Sequence, residues 1–439
     1  MLYEKLTQKQ RRTIERDVET LFSRRAFIIS PTFEDIKRLG PFHPNIRYGP
    51  GTLFLSDKGV AALRRITSLL GSLSLMASSV SMRDIDVQVL GNYKSWLERD
   101  LQPTGREFTE GIVNSLVGII MDYEFLIQIE GIDLKDQDIL HLGSIRIQRS
   151  NRAILENVKF EGHLELDSIF EQFKNDYWLI GQCSGSADIA SERFEYRAVL
   201  TVGILAVCGA VLYRGAIWRS RVRAVTSPFE NRKAVVSLRW EVGGDNPAYS
   251  QRWGIEQDLP IEAESVSYLT EFCFLHQLAS LPDKANRDEL QDAIVRSLYW
   301  FAEAYRDRNP TMQFIKLWSC AECFFAIKQQ GETESKKITE LNARGIASIL
   351  AFAGYQIVSP QEYPAFKRRV KYLYDLRSKA VHRAEFRHIE TADLDDLSHW
   401  VAWVIISMVA LSDRGYEKLW QVYEQTSRLD RISSESKEK

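Results

Sequence analysis

The chain has little cysteine. Five residues in 439, Cys183, Cys208, Cys273, Cys320 and Cys323, are odd in number and irregularly spaced. That excludes a disulfide framework and points to free thiols in a reducing compartment. Nor is there an excess of either charge: 57 Lys and Arg face 59 Asp and Glu, a formal net charge of −2. A surface coated for nucleic acid is thereby excluded, and any polyanion binding must come from local patches. Three common signatures are missing, the G-x-x-x-x-G-K-[ST] phosphate loop, the H-E-x-x-H zinc helix and the G-x-G-x-x-G fingerprint,. The opening residues MLYEKLTQKQRR are polar and charged, unlike a secretory leader, so the expected location is cytoplasmic,. Long apolar runs are scarce too. Ala198 to Tyr213 carries no charge but falls short of the about 20 residues of a membrane span. Its two glycines, Gly203 and Gly209, favour a buried helix, and no membrane partner is expected.

What is present is a change of period along the chain. Residues 3–27 pattern as a charged amphipathic helix with Leu6, Ile14, Val18, Leu21 and Phe22 on its apolar side,. The turn-rich GPFHPNIRYGPG (40–51) cannot continue it, and helical patterning returns over 57–79 and 105–121. Short alternating or apolar blocks at 123–131, 144–148, 158–166 and 177–182 predict strands, as do 217–225 and 235–242,. After a helix at 264–280, the polar LPDKANRD (281–288) predicts a domain boundary. Beyond it the pattern is wholly helical, over 287–308, 311–329, 334–353, 362–382, 391–412 and 413–426. The expectation is α+β: a mixed α/β region over 1–282, an all-α bundle over 283–426 and a frayed tail over 427–439.

The most basic helical stretch is Lys367–Arg387, with eight Lys and Arg against Asp375 and Glu385. Leu373, Leu376 and Ala380 recur at core spacing, while Lys371, Asp375, Ser378 and His382 fall on another stripe. Within it, Arg377 and His382 form R-x-x-x-x-H and lie about 140° apart on an ideal helix. One straight helix cannot bring both to one phosphate. Either the helix unwinds near Ala380, or two copies of it meet across a two-fold axis, the reading favoured here. Glu322 sits alone in the apolar run WSCAECFFAI, where a carboxylate must find a partner, reach water or stay protonated. Arg377 is a candidate partner. The neighbouring Cys320-x-x-Cys323 lacks a second ligand pair and reads as structural thiols. GQCSGSAD (181–188) has the small residues of an anion-binding turn without a following lysine and reads as loop. Finally, Arg219, Arg221 and Arg223 have strand spacing and would share one face. With Arg214, Arg232, Lys233 and Arg239, and with Trp218, Phe229 and Trp240 interleaved, that face would either follow a nucleic-acid backbone or be a solvated, salt-bridged surface.

Residues 285–425 resemble the HEPN superfamily, and within it the Apea-like HEPN domains of bacterial defence proteins. The resemblance is carried by LYWFAEAY (298–305), KLWSCAECFF (316–325) and above all YDLRSKAVH (374–382), which matches the family's R-x(4–6)-H motif with a polar residue, Ser378, directly after the arginine. Arg383 departs from the small residue common after the histidine. The resemblance implies a dimerising helical domain with both motifs in one composite cleft, and a metal-independent endoribonuclease needing no cofactor. Arg377 and His382 would then be the catalytic pair, supported by Ser378, Asp375 and Glu322. Lys371, Lys379, Arg383 and the Arg219, Arg221, Arg223 group would contact RNA, such as tRNA or mRNA. The partners implied are RNA, a second copy or higher oligomer, and a regulatory protein or nucleic-acid trigger acting through the N-terminal region. The competing reading is an inactive HEPN module that binds RNA, a nucleotide or a protein.

Chemistry supports the first reading on its own terms. RNA brings its own nucleophile, the 2′-hydroxyl, so a protein need supply only proton transfer and charge stabilisation. Histidine titrates near neutrality and as an acid or base contributes about 10²–10⁴ in rate. A guanidinium grips phosphate bidentately and stabilises its transition-state charge. The products would be a 2′,3′-cyclic phosphate and a 5′-hydroxyl.

Overall fold

Thr7, Ser56, Ser81 and Thr104 decide where four helices begin, each hydroxyl accepting a backbone N–H of the first turn,. In the computed structural model these helices are α1 (Gln8–Leu21), α2 (Asp57–Gly71), α3 (Met82–Glu98) and α4 (Gly105–Gly118). The structure describes residues 3–435 apart from 29–31, 40–44, 49–50, 157–170, 172–173, 175, 227–233, 241–246, 254–256, 326–334 and 384–388. The strand expected over 158–166, and Phe229, Arg232 and Lys233, lie outside the described residues. The protein is α+β, with its sheets in the N-terminal part and a wholly helical C-terminal part.

The chain divides into two compact units, residues 1–125 with 182–194, and 126–181 with 195–439. In the first, α1 to α4 enclose a core that includes Ile14, Leu21, Ile66, Val89, Tyr93, Phe108 and Ile112. Strands β1 (Phe27–Ile28), β2 (Asn45–Tyr48) and β3 (Gly51–Leu55) form an antiparallel sheet in the order β1-β3-β2. Asp17, fully buried, receives both Nε and Nη2 of Arg65, at 2.9 and 2.7 Å. The helix α3 was not expected from the patterning. It buries only Ile85, Val89 and Tyr93, too thin a stripe to stand out.

In the second unit lie the strands β5 (Ile132–Asp133), β6 (Ile139–Leu142), β7 (Ile145–Arg149), β9 (Arg223–Ala224), β10 (Ala234–Trp240), β11 (Pro247–Trp253) and β12 (Leu259–Pro260), while β4 (Met121–Glu130) and β8 (Tyr177–Gly185) run across the division. The main sheet has the order β6-β7-β8-β4-β9; β10 and β11 pair as an antiparallel hairpin, and β12 runs parallel to β5. The apolar run belongs to one helix, α5 (Ala187–Leu212), whose residues from 200 to 211 are all buried. Gly203 is required there, because a Cβ would collide with the Leu298 carbonyl. Among the described residues α5 and one later helix are long and apolar enough to cross a membrane, and 72% of each apolar window is buried within the fold.

The helix α6 (Ala263–Phe272) leads through the short helix Leu275–Ser280 to the bundle of α7 (Glu289–Arg306), α8 (Pro310–Phe325), α9 (Ser335–Phe352), α10 (Tyr363–Arg383), α11 (Thr391–Asp413) and α12 (Leu419–Glu435). α11 is the second membrane-length helix and is buried without a break from Trp400 to Val409. Its His399 donates Nδ1–H to the Ala210 carbonyl of α5 at 2.7 Å. The segment 281–288, expected as a boundary, lies inside this unit. Asp283 accepts from the backbone N–H and hydroxyl of Ser144, both at 2.7 Å.

Two expectations are corrected. Residues 217–225 are not one strand: Gly215, at φ +81°, opens the short helix Ala216–Arg219, and only Arg223 and Ala224 pair as a strand. Buried Ile217, Ser220, Val222 and Arg223 do not alternate, so no common arginine face exists,. The tail is not frayed from residue 427. α12 continues to Glu435, and Asp430 accepts from the Tyr363 hydroxyl at 2.5 Å and from Lys367 Nζ at 3.0 Å.

Candidate functional site

The helix α10 is placed by its apolar stripe: Val370, Leu373, Tyr374, Leu376 and Ala380 are buried, as the spacing requires,. It runs as one α-helix through Ala380 to Arg383, so the unwinding alternative is excluded. Arg377 is half-buried and faces α8, while His382 is exposed on the last turn.

Glu322 of α8 is where the local chemistry converges. Its Oε2 accepts from Arg377 Nη2 at 3.1 Å, and its Oε1 accepts from the Tyr374 hydroxyl at 2.7 Å. The isolated acid therefore has both of its oxygens satisfied. The Tyr374 ring is fixed in turn by the edge of Trp318, with centroids 4.9 Å apart. Burial, and then the Glu322 carboxylate, push the Tyr374 phenol well above its ordinary value, so it stays protonated and donates. Arg377 Nε is buried and finds no hydrogen-bond partner among the described residues, so that donor is unspent,.

Charge along α10 is uneven. Toward its start, Lys367 contacts Glu340 at 2.6 Å and Asp430 at 3.0 Å, and Arg369 contacts Asp393 at 2.6 Å. Lys371 reaches Glu340 at 3.6 Å. At the other end Lys379, His382 and Arg383 are exposed and meet no acid among the described residues. Three of the four cations in the first half of the helix are thus paired, Arg368 being exposed, whereas those of the last turn meet no acid among the described residues. There the negative end of the helix dipole also favours cations.

Of the expected residues, the structure brings Arg377 and Glu322 together. It leaves His382, Lys379 and Arg383 grouped on the last turn, with Ser378 half-buried and Asp375 exposed nearby. It does not join Arg223 to them among the described residues. Arg219 ends a short helix and Arg221 is half-buried. Arg223, 6% exposed, is held by Glu130 through Nε at 2.9 Å and Nη2 at 2.5 Å. It cannot serve an RNA phosphate without abandoning a largely buried carboxylate,.

Sequence reading missed two contributors. Tyr374 is one helical turn before Arg377, the same-face spacing that could have flagged it. Arg296 of α7 is exposed and acts electrostatically on the Cys323 thiol, which donates to the Ser319 carbonyl at 3.2 Å and follows Glu322 directly. Burial pushes that thiol up to about 11 despite the guanidinium, and Cys320 is raised further by burial, so neither is a nucleophile,. All five cysteines are unbridged. Among the described residues no three His, Cys, Asp or Glu side chains cluster to hold a metal ion. Compared with family models, curated proteins and solved structures, the chain shows no match.

Proposed function

We propose that this chain is a cytoplasmic HEPN-type endoribonuclease effector of bacterial anti-phage defence, acting without a metal as a homodimer or higher oligomer. The observation that carries the reading is the pairing, within α10, of an exposed imidazole on an unneutralised basic turn with a guanidinium oriented by Glu322. Because the two side chains lie on different faces of one unbroken helix, the site takes His382 from one copy and Arg377 from the other.

Arg377 holds the scissile phosphate and stabilises its added charge. The 2′-oxygen bonds to phosphorus as the bond to the 5′-oxygen breaks. His382 handles the proton lost by the 2′-hydroxyl and gained by the leaving oxygen. Glu322 and Tyr374 hold the guanidinium in place, which conserves orientation at the cost of some of its charge. Residues 1–282 hold the nuclease inactive until a trigger arrives.

The test is incubation of wild type and His382→Ala with total RNA in EDTA. Wild type should cut, leaving 2′,3′-cyclic phosphate ends, and the variant should not. Equal cutting by both, or none by wild type under any activating condition, removes the assignment. A second reading, an inactive module that binds RNA, a nucleotide or a protein, is favoured by one observation: Arg377 is already engaged by a carboxylate. Under it His382→Ala leaves biological activity intact.

A further inference from the structure

α7 carries three side chains that the catalytic reading does not use. Arg296, Tyr299 and Trp300 stand at i, i+3 and i+4 and so share one side of the helix,. The Tyr299 ring centroid is 6.0 Å from that of Tyr196 on α5 and 5.9 Å from that of Trp300. Tyr196 is 44% exposed and Trp300 37%. Single exposed rings need no explanation, but two exposed rings flanking the half-buried Tyr299 mark a contact surface,.

The charge beside them says what kind of contact. Arg287, Asp292 and Arg296 are all within electrostatic reach of the Tyr196 phenol. Arg287 is bound to Asp292 at 2.8 Å. Arg296 is exposed and forms no ion pair among the described residues, which leaves its donors for an anion,. Cys323 follows Glu322, with Cα atoms about 3.8 Å apart, and Glu322 holds Arg377. Arg296 on α7 thus stands beside the rings and near α8, whose Glu322 holds Arg377 of α10.

We propose that Tyr196, Tyr299, Trp300 and Arg296 form a stacking subsite for single-stranded RNA, where unpaired bases lie on the rings and Arg296 holds a phosphate neighbouring the one at Arg377. The proposal rests on the ribonuclease reading and names its substrate class. An apolar protein partner would leave the Arg296 guanidinium facing no acceptor, whereas a nucleotide offers a π-face and an anion together. A duplex keeps its base faces inside the stack and gives the rings nothing to cover. The favoured substrates are therefore loops and ends, with little base preference.

The experiment uses the full chain carrying His382→Ala to block turnover, with a fluorescein-labelled oligouridine and an RNA duplex of equal length as probes, read by anisotropy. Trp300→Ala and Arg296→Ala should each weaken oligouridine binding about five-fold or more. Trp300→Phe, which keeps a π-face, should restore it, and Trp300→Ala should leave duplex binding unchanged. Melting temperatures within a few degrees of the parent exclude misfolding. If Trp300→Ala binds oligouridine as the parent does, or if the parent does not bind it while wild type still cuts RNA, the subsite is wrong and the ribonuclease reading stands. A change in oligomeric mass with RNA affinity intact makes the rings a protein contact and also overturns the proposal. If wild type neither binds nor cuts RNA, both readings fall.

Discussion

Two arginine-rich stretches look alike as strings of letters and end in opposite places. The stretch 219–223 delivers Arg223 into the interior, where it neutralises Glu130 and locks β9 to β4. The last turn of α10 presents Lys379, His382 and Arg383 to solvent without acids among the described residues. What separates them is burial. A guanidinium taken out of water must have a carboxylate and is then spent on structure. One left in water beside a helix C-terminus keeps its charge for a ligand. Arg377 lies between these extremes, half-buried, ion-paired on one nitrogen and unsatisfied at Nε.

The contrast is sharpened most by activity. His382→Ala should lower the RNA cleavage rate by about 10²–10⁴ while shifting the melting temperature little, since the imidazole is exposed. Arg223→Ala should do the reverse, costing up to about 3–5 kcal/mol of stability by leaving the largely buried Glu130 unpaired,, measurable as a urea midpoint shift. An Arg223→Ala variant that kept its stability but lost RNA affinity would erase the distinction between the two stretches. Tyr374→Phe removes one of the two donors to Glu322 and should cost about 1 kcal/mol, with a drop in cleavage rate and little change in RNA affinity. Lys371→Ala, at an exposed pair, should change stability by less than about 1 kcal/mol.

A pH series adds a check on α11. Burial lowers the His399 pKa, so the unfolded chain binds that proton more readily than the folded one,. Its contribution is complete above the ordinary value near 6.5 and is lost as pH falls below it toward the depressed value. Urea midpoints should therefore decline below about pH 6.5, and His399→Gln should flatten that part of the profile.

Much of α10 was legible beforehand. Its span, its Leu373, Leu376 and Ala380 core stripe, and the need of Glu322 for a partner follow from period and from the cost of burying a lone carboxylate. Other parts were not. Alternating Arg and apolar letters at 217–225 imitate a strand, but Gly215 turns the chain into a helix first. α3 buries too few residues to show a period. The hydroxyl role of Tyr374 is hidden behind an aromatic that reads as core, and the anchoring of α12 by Asp430 depends on Tyr363 and Lys367, far away in the chain. Long-range polar pairings leave no periodic trace.

The shared site is tested most directly by complementation. Arg377→Ala and His382→Ala chains, each inactive alone, are co-expressed and assayed on RNA in EDTA. Mixed dimers hold one intact site, made of Arg377 from one copy and His382 from the other, so cleavage should return to about a quarter of the wild-type rate. A mixture as inactive as its parents, with mixed dimers present, would contradict a site built from two copies of α10.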